Sequence, residues 1–361
     1  MTTHRQHEPS AVLEAWRAVA ACLLVWGHYG APEAAAAAWG TTGQAVGLAS
    51  TGAGLFFVIS GFALAPYLWG RRLHLRGYAL RRFFRIFPGY ALALGLWMGV
   101  SMGISSAVAP QSPPGFWSLP AHVEFCLLLP VLAGVAGLSD YWWGPRGRLA
   151  WLLAVLGAAV SLRLALVWEA PATMTPGVSG LVALHHLPGV LVEFLLGATA
   201  WHISTHSLSA FKSAGLVLVG LAGLGVLGPW AGVAANYGFL AGPMSGPISG
   251  LWEPLNALCL ALMVAGSARL RAAAASLGFA GPGASVALAG LRRLVLWCGG
   301  LSYGVALLHP AAWSWAQSMA PNLDQKESIP VAVVLTLCLA VVSRVAWERP
   351  WQALGSRLAA R

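Results

Sequence analysis

The chain has 361 residues, of which 58% are hydrophobic and only 9% are charged, and its mean hydropathy is +0.71. These values lie far outside the range of soluble domains and predict an integral membrane protein. The net charge of +10 does not indicate a nucleic-acid partner, because cations in cytoplasmic loops and the attraction of anionic lipids account for most of it. The expected partners therefore include membrane lipids and no nucleic acid.

Apolar runs of about 18 residues or more, the length that a helix needs to cross the hydrocarbon core, predict an all-α bundle of about ten transmembrane helices. In chain order the predicted spans are 11–29, 44–69, 86–109, 117–139, 149–168, 180–202, 213–230, 251–268, 294–317 and 328–347. The Gly/Pro-rich region 229–250 is consistent with either a loop or a re-entrant segment. Because no internal repeat or soluble appendage is evident, residues 1–361 are expected to form one membrane domain.

Lysine and arginine predict the topology, because both accumulate in short cytoplasmic loops. If the N-terminus is inside, all but three of the 21 cations fall in inner segments, the exceptions being Arg17, Arg163 and Lys326. The prediction is a multi-pass protein of the inner (plasma) membrane with both termini in the cytoplasm. A cleaved signal peptide is not favoured, since Glu14 and Arg17 interrupt the first apolar stretch.

The first span, "LEAWRAVAACLLVWGHYG", carries three ionisable side chains, Glu14, Arg17 and His28. Arg17 and His28 are eleven positions apart, which returns a helix to nearly the same face about 16 Å further along its axis. Glu14 precedes Arg17 by about one turn on that face. Taken alone, Arg17 could reach the inner interface and His28 could lie at the outer one. Three aligned ionisable groups in one span favour a functional path instead.

Other spans supply polar partners for His28. The fourth begins "FWSLPAHVEFCLLLP" and places His122 and Glu124 in its predicted outer half, and the ninth reaches "LSYGVALLHP" with His309 near its outer end. Taken singly, each histidine is more typical of a hydrogen-bonded packing residue than of a catalyst. Together these side chains are expected to converge with His28.

The sixth span, "LVALHHLPGVLVEFLLG", adds His185 and His186 near its outer end and Glu193 deeper. The sequence assigns no role to these three residues or to His122. The histidines are scattered over several helices without a diagnostic spacing, and the five cysteines show no paired spacing. Neither a metal site nor a disulfide framework is therefore expected.

The segment "RRLHLRGYALRRFFRIFPGY", residues 71–90, is strongly basic. An ordinary cytoplasmic loop of the positive-inside kind would explain its charge. Its Arg82 and Arg85, however, lie three positions apart before an apolar Ile-Phe-Pro, which puts both guanidinium groups on one face of a helix end. Such a pair is suited to holding phosphates.

These motifs, in this order, resemble the acyltransferase family 3 membrane proteins over nearly the whole chain. "LEAWRAVAACLLVWGH" resembles the family's opening Leu-Asp-x-x-Arg-Ala-x-Ala…His, with Arg17 and His28 at the family's spacing. "GLFFVISGF" resembles the second-span signature that includes Ser60 and Gly61, and "RRFFRIFP" the Arg-x-x-Arg loop. "FWSLPAHVEF" is similar to Trp-Ser-Leu-x-x-Glu, "LSYGVALLHP" to the late Ser-Tyr…His, and "WERPW" to the terminal Glu-Lys/Arg-Pro. The sequence departs from the family in having Glu14 in place of Asp and two extra residues between Trp117 and Glu124.

The resemblance implies transfer of an acyl group, expected to be acetyl, from acyl-CoA to a hydroxyl, commonly on a sugar. It implies a catalytic group that comprises His28, Glu124 and His309. It also implies a donor-binding group that comprises Arg17, Arg82, Arg85 and Ser60. The chain has no SGNH-type segment of the kind that peptidoglycan-modifying members often carry, so a smaller or lipid-linked acceptor is expected.

The residue types fit this chemistry independently. A hydroxyl is a poor nucleophile at neutral pH, and histidine has a suitable pKa for a general base. A neighbouring carboxylate would orient the ring. Direct transfer and a transient acyl group on His28 both remain open. The alternative from another class is a transporter or exporter of a glycan or related metabolite, because interior charges and Gly/Pro-interrupted helices are also typical of transporters.

Overall fold

A computed structural model of the chain describes residues 11–30, 42–103, 118–169, 186–206, 208–236, 247–276, 282–319 and 324–360. The described part of the chain is helical and contains no strand, which confirms the predicted all-α class. In chain order the helices are α1 (Ala11–His28), α2 (Thr42–Leu68), α3 (Leu75–Gly103), α4 (Ser118–Glu169), α5 (Leu187–Thr205), α6 (Ala210–Asn236), α7 (Pro247–Ser276), α8 (Pro282–Met319), α9 (Gln325–Val342) and α10 (Arg349–Ala360). A π-helical turn, Ser343–Glu348, joins α9 to α10.

Within the described residues, eight helical stretches are long and apolar enough to cross a membrane. The stretch in α4 has 50 residues, more than one crossing needs, and the helix bends at Gly144, where φ is 65°. The bend is sharp, because a Cβ on Gly147 would meet the carbonyl oxygen of Ser139 at 2.5 Å. It falls between the predicted spans 117–139 and 149–168. The predicted count of about ten spans is therefore approximate.

Helix ends differ from the predicted span ends where an apolar run stops but the helix continues. Helix α3 begins at Leu75, well before the predicted 86, because arginines end an apolar run without breaking a helix. Helix α6 continues to Asn236 and α7 begins at Pro247, so much of region 229–250 is helical. Residues 237–246 lie outside the described part of the chain.

Helices α2 and α5 lie at the centre of the bundle. In their apolar stretches 67% and 61% of residues are buried, as are 61% in α7, against 22% in α1. The two helices cross through glycines: a Cβ on Gly61 would meet the Phe194 carbonyl oxygen at 1.9 Å, and one on Gly197 would meet that of Val58 at 2.0 Å. Small residues permit such close approach between membrane helices. This crossing fixes the position of Ser60, the residue next to Gly61.

Candidate active site

A cavity of about 700 Å³ lies between α1, α2, α3, α4, α8 and the π-helical turn. Apolar and aromatic side chains form much of its wall. Its ionisable and polar lining includes Glu14, Arg17, Ser60, Arg82, Arg85, His122, Arg344 and Glu348. All four predicted donor-binding residues are therefore in one cavity, although they come from three different helices.

Arg17 reaches this cavity from α1 and forms an ion pair with Glu14, three positions earlier on the same helix. Glu14 is buried, with only 7% of its surface exposed, whereas the Arg17 side chain keeps 19% of its surface accessible. Gly299 of α8 makes room for the pair, because a Cβ there would meet the Glu14 Cβ and carbonyl oxygen at 2.4 Å. The close contact of α1 with α8 therefore turns both side chains toward the cavity.

Arg82 and Arg85 enter from the first turns of α3, and both line the cavity. Arg82 is half-buried and its guanidinium lies 5.7 Å from the centre of the Tyr78 ring, whereas Arg85 is exposed. Burial raises the pKa of the Tyr78 hydroxyl, which donates to the Cys126 carbonyl at 2.9 Å. The predicted placement of the two arginines on one helix face agrees with their shared position in the wall.

Side chains from α8 and the π-helical turn hold α3 in place just beyond these arginines. The Tyr303 hydroxyl donates to the Ile86 carbonyl at 2.6 Å, and Trp347 Nε1 donates to the Pro88 carbonyl at 2.7 Å. Gly89 admits the Tyr303 ring, since a Cβ there would meet Cε1 at 2.6 Å. The basic end of α3 is thus anchored by two hydrogen bonds to distant parts of the chain.

Ser60 and His122 face each other across the cavity wall. The Ser60 Oγ and His122 Nδ1 atoms are 3.3 Å apart, and the His122 ring packs edge-on against Phe194 at 5.9 Å. His122 also lies within electrostatic range of Arg17, Arg82 and Arg85. The sequence assigned His122 no role but predicted that it would converge with His28. That placement is wrong, because the structure puts His122 with the predicted donor-binding group.

The cavity is strongly basic. Arg85 interacts electrostatically with Arg17, Arg82 and Arg344, and with Arg71 the lining contains five arginines against the two glutamates Glu14 and Glu348. Guanidinium groups this close together repel one another, and a bound anion or a neighbouring carboxylate offsets that repulsion. The arrangement is therefore suited to binding an anion of more than one charge.

The predicted catalytic residues His28 and His309 contact each other, with ring centres 4.9 Å apart. His28 is half-buried and its Nδ1 lies 2.8 Å from the Leu24 carbonyl oxygen. His309 is fully buried, its Nδ1 lies 3.2 Å from the Val305 carbonyl oxygen, and its Nε2 has no hydrogen-bond partner among the described residues. The two helices that carry them, α1 and α8, run parallel, as the topology predicts.

The histidine pair does not line the cavity but lies next to one end of it. Leu24, about one turn before His28, and Ala306, three positions before His309, both form part of the wall. One helical turn advances the chain by 5.4 Å. The arginines therefore line the cavity, and the histidine pair lies just beyond one end of it along α1 and α8.

Glu124 lies elsewhere. Its Oε1 is 2.5 Å from His186 Nδ1, and its Oε2 accepts a 2.8 Å hydrogen bond from the Leu187 backbone N–H. The carboxylate therefore caps the N-terminus of α5, where a negative charge is favourable. The structure brings together His28 and His309 but not Glu124, and the predicted catalytic role of Glu124 stays a prediction.

Glu193 belongs to a second polar cluster, away from the cavity lining. It is 3% exposed and interacts electrostatically with Glu253 and Arg163, which form an ion pair. Arg163 Nε also donates to the Gly250 carbonyl at 3.2 Å. That carbonyl has lost its usual helical partner, because residue 254 is a proline without an N–H. These contacts explain Arg163, one of the three cations outside the inner segments, as a buried link between helices.

His185 lies outside the described residues. Among the residues that the structure does describe, no three His, Cys, Asp or Glu side chains are grouped so that they could hold a metal ion.

Arg344 and Glu348 line the cavity, although the sequence did not predict either as a site residue. Both come from the π-helical turn, and Glu348 is 2% exposed. The motif "WERPW" contains Glu348, so its charge next to a tryptophan-rich apolar segment was a usable signal. The sequence gives no comparable indication for Arg344, because an arginine near a predicted cytoplasmic terminus is already explained by the positive-inside rule.

Comparison with protein-family models matches residues 11–346 to the acyltransferase 3 family, whose model is described as an acyltransferase domain. The match covers nearly the whole chain and confirms the resemblance seen in the motifs. No curated protein sequence and no solved structure matches the chain.

Proposed function

Because the chain belongs to the acyltransferase 3 family, a family of membrane acyltransferases, we propose that it is an acyl-CoA-dependent O-acyltransferase of the inner (plasma) membrane. In this proposal the donor is acyl-CoA, with acetyl as the acyl group. The acceptor is a hydroxyl of a carbohydrate or of a glycosylated or lipid-linked molecule.

One observation carries the proposal: a basic cavity ends beside a pair of histidines. Arg17, Arg82 and Arg85 supply guanidinium groups that match phosphate geometry, and CoA carries a diphosphate and a 3′-phosphate. From Arg17 to His28 the first helix advances about 16 Å. A long, thin pantetheine arm suits such a separation between phosphates and thioester.

In the proposed reaction His28 Nε2 removes the proton of the acceptor hydroxyl. The oxygen then attacks the thioester carbonyl, the C–S bond breaks, and the CoA thiolate leaves and takes the proton from His28, which regenerates the base. His309 packs against the His28 ring and holds it in place. The same atoms would allow His28 to carry the acyl group first, with the hydroxyl attacking in a second step.

Release of free CoA tests the proposal. Purified protein in lipid nanodiscs is incubated with acetyl-CoA and a panel of sugars and glycolipids, and the new thiol is followed with a thiol-reactive dye. We expect acceptor-dependent thiol release together with a product heavier by one acetyl group. A transporter would release none, and thiol release that is equal in His28→Ala protein would count against the enzyme.

A further inference from the structure

The π-helical turn carries a second ion pair into the cavity. Arg344 Nη1 lies 3.6 Å from Glu348 Oε2, and Glu348 Oε1 accepts a 3.0 Å hydrogen bond from the Ser343 hydroxyl. The backbone N–H of Arg349 bonds to the Arg344 carbonyl, five residues back, which is the spacing that defines this turn. Such turns occur often at functional sites because they re-aim side chains.

Two glycines of α8 leave space for this ion pair. A Cβ on Gly300 would lie 3.3 Å from Arg344 Nη2, and a Cβ on Gly304 would lie 3.2 Å from Glu348 Oε1. Gly299, on another side of the same helix, makes room for Glu14 of the first ion pair. Three glycines of "CGGLSYG" thus admit two arginine–glutamate pairs, one from α1 and one from the π-helical turn.

The two members of the second pair differ in exposure and in spare bonding capacity. Glu348 is 2% exposed and is tied to Ser343, whereas the Arg344 side chain keeps 26% of its surface accessible. The contacts described for the guanidinium, to Glu348 and to Gln352 Oε1 at 3.4 Å, both use Nη1. Arginine has five N–H donors, so Nε and Nη2 retain the capacity to bind an oxyanion.

We propose that Arg344 binds a phosphate of the acyl-CoA donor together with Arg17, Arg82 and Arg85, and that Glu348 and Ser343 position its guanidinium. This proposal rests on the proposed function and adds a fourth arginine, from the far end of the chain, to the donor site. Four guanidiniums suit CoA because its phosphates occupy two separate places on the molecule. Arg344 is a binding residue in this account, and Glu348 is a positioning residue.

Calorimetric binding of adenosine 3′,5′-bisphosphate and of CoA to the full-length protein tests the proposal without requiring turnover. We expect Arg344→Gln to weaken both affinities about tenfold, the effect of one charge-assisted hydrogen bond. In the acyl-transfer assay the same variant should raise the donor KM by a similar factor and leave kcat at saturation within about twofold. Arg357→Gln, an exposed arginine of α10 outside the cavity lining, is the matched control and should bind like the wild type.

Two further variants separate binding from folding. Arg344→Lys keeps the charge but loses the planar fork, so it should bind several-fold more weakly while its thermal transition stays at the wild-type temperature. Gly300→Ala leaves every charge in place and puts a methyl 3.3 Å from Nη2, so the guanidinium must shift by a few tenths of an ångström and binding should weaken, by less than in Arg344→Gln. If Arg344→Gln cannot be purified in folded form, these two variants decide.

The outcomes distinguish this proposal from the proposed function. Wild-type affinity in Arg344→Gln, or in both Arg344→Lys and Gly300→Ala, would overturn the role of Arg344 while leaving CoA as the donor. A wild-type protein that transfers acyl groups but binds neither CoA nor adenosine 3′,5′-bisphosphate would overturn the donor assignment, and the role of Arg344 with it.

Discussion

At His28, one backbone contact decides which ring nitrogen can accept a proton. Nδ1 lies 2.8 Å from the Leu24 carbonyl oxygen, and because a carbonyl only accepts, Nδ1 carries the hydrogen and Nε2 keeps its lone pair. His309 has the same arrangement with the Val305 carbonyl. His28 is half-buried and His309 is fully buried, so His28 is the member of the pair that a substrate can reach.

Replacing His28 should therefore remove the base without removing the donor site. We expect His28→Ala to slow acyl transfer by about 10²–10⁴-fold, the usual contribution of a general base, and to leave CoA affinity unchanged. Thiol release measures the first quantity and calorimetry the second. His206→Ala, an exposed histidine after α5, is the control and should retain activity. Wild-type turnover in His28→Ala would rule out this residue as the base.

The arginines of α3 should show the opposite kinetic pattern. Arg82→Ala and Arg85→Ala each remove a charge that we place on the donor phosphates, so the donor KM should rise about tenfold with a much smaller fall in kcat. Initial rates over a range of acetyl-CoA concentrations measure both constants. Arg81, the residue before Arg82, is exposed and lies outside the cavity lining, so Arg81→Ala is the control and should behave as the wild type. An unchanged donor KM in both Arg82→Ala and Arg85→Ala would mean that the basic segment only orients the protein.

At the scale of the helix, spacing predicted some of the site and left the rest undecided. Arg82 and Arg85, three positions apart, share a face and do line the same cavity. His122 and Glu124 were both expected to converge with His28, but they are two positions apart, and a helix turns through about 200° between them, so they face opposite sides. Spacing therefore indicates that only one of these two residues lines the cavity, but it does not indicate which one. That choice depends on the packing of α4 against α5, which seats Glu124 on the Leu187 N–H.

The π-helical turn shows a different limit of sequence analysis. An apolar pattern reports which residues face lipid, but it does not report a change from four-residue to five-residue hydrogen bonding within a continuous helix. Arg344 and Glu348 enter the cavity because of that change and because Gly300 and Gly304 lie opposite them. Contacts between the end of the chain and α8 are long-range, so no local pattern predicts them.

The crossing of α2 and α5 gives a prediction about stability. At Gly61 an added methyl would meet the Phe194 carbonyl oxygen at 1.9 Å, so Gly61→Ala must push the helices apart. We expect it to destabilise the protein by about 1–3 kcal/mol, as overpacking usually does. Gly54→Ala on the same helix has nothing within 4 Å and should be neutral or slightly stabilising, since alanine favours helix. Thermal unfolding in nanodiscs compares the two variants. Equal transition temperatures would mean that α2 and α5 can separate at Gly61 without loss of stability.

At the scale of the whole molecule, charge and topology predict where each substrate arrives. The positive-inside pattern assigns the arginine end of the cavity to the cytoplasm, where acyl-CoA is found. Along α1 the His28 end lies about 16 Å further on, toward the opposite face. A polar path of this length through hydrocarbon is tolerated only where it lines a cavity. The cavity walled by Arg17 at one end and by Leu24, next to His28, at the other has this character.

Donor and acceptor should therefore meet across the membrane, and sealed vesicles of known orientation test this. Acetyl-CoA is supplied only to the cytoplasmic face and a membrane-impermeant hydroxyl acceptor only to the opposite face. We expect acetylated acceptor to form, because the thioester of a donor bound by its phosphates at the arginines would reach His28 from within the cavity. Vesicles that contain His28→Ala protein measure leakage and non-enzymatic transfer. Product that forms only when both substrates are on the cytoplasmic face would overturn the cross-membrane arrangement, while acyl transfer itself would stand.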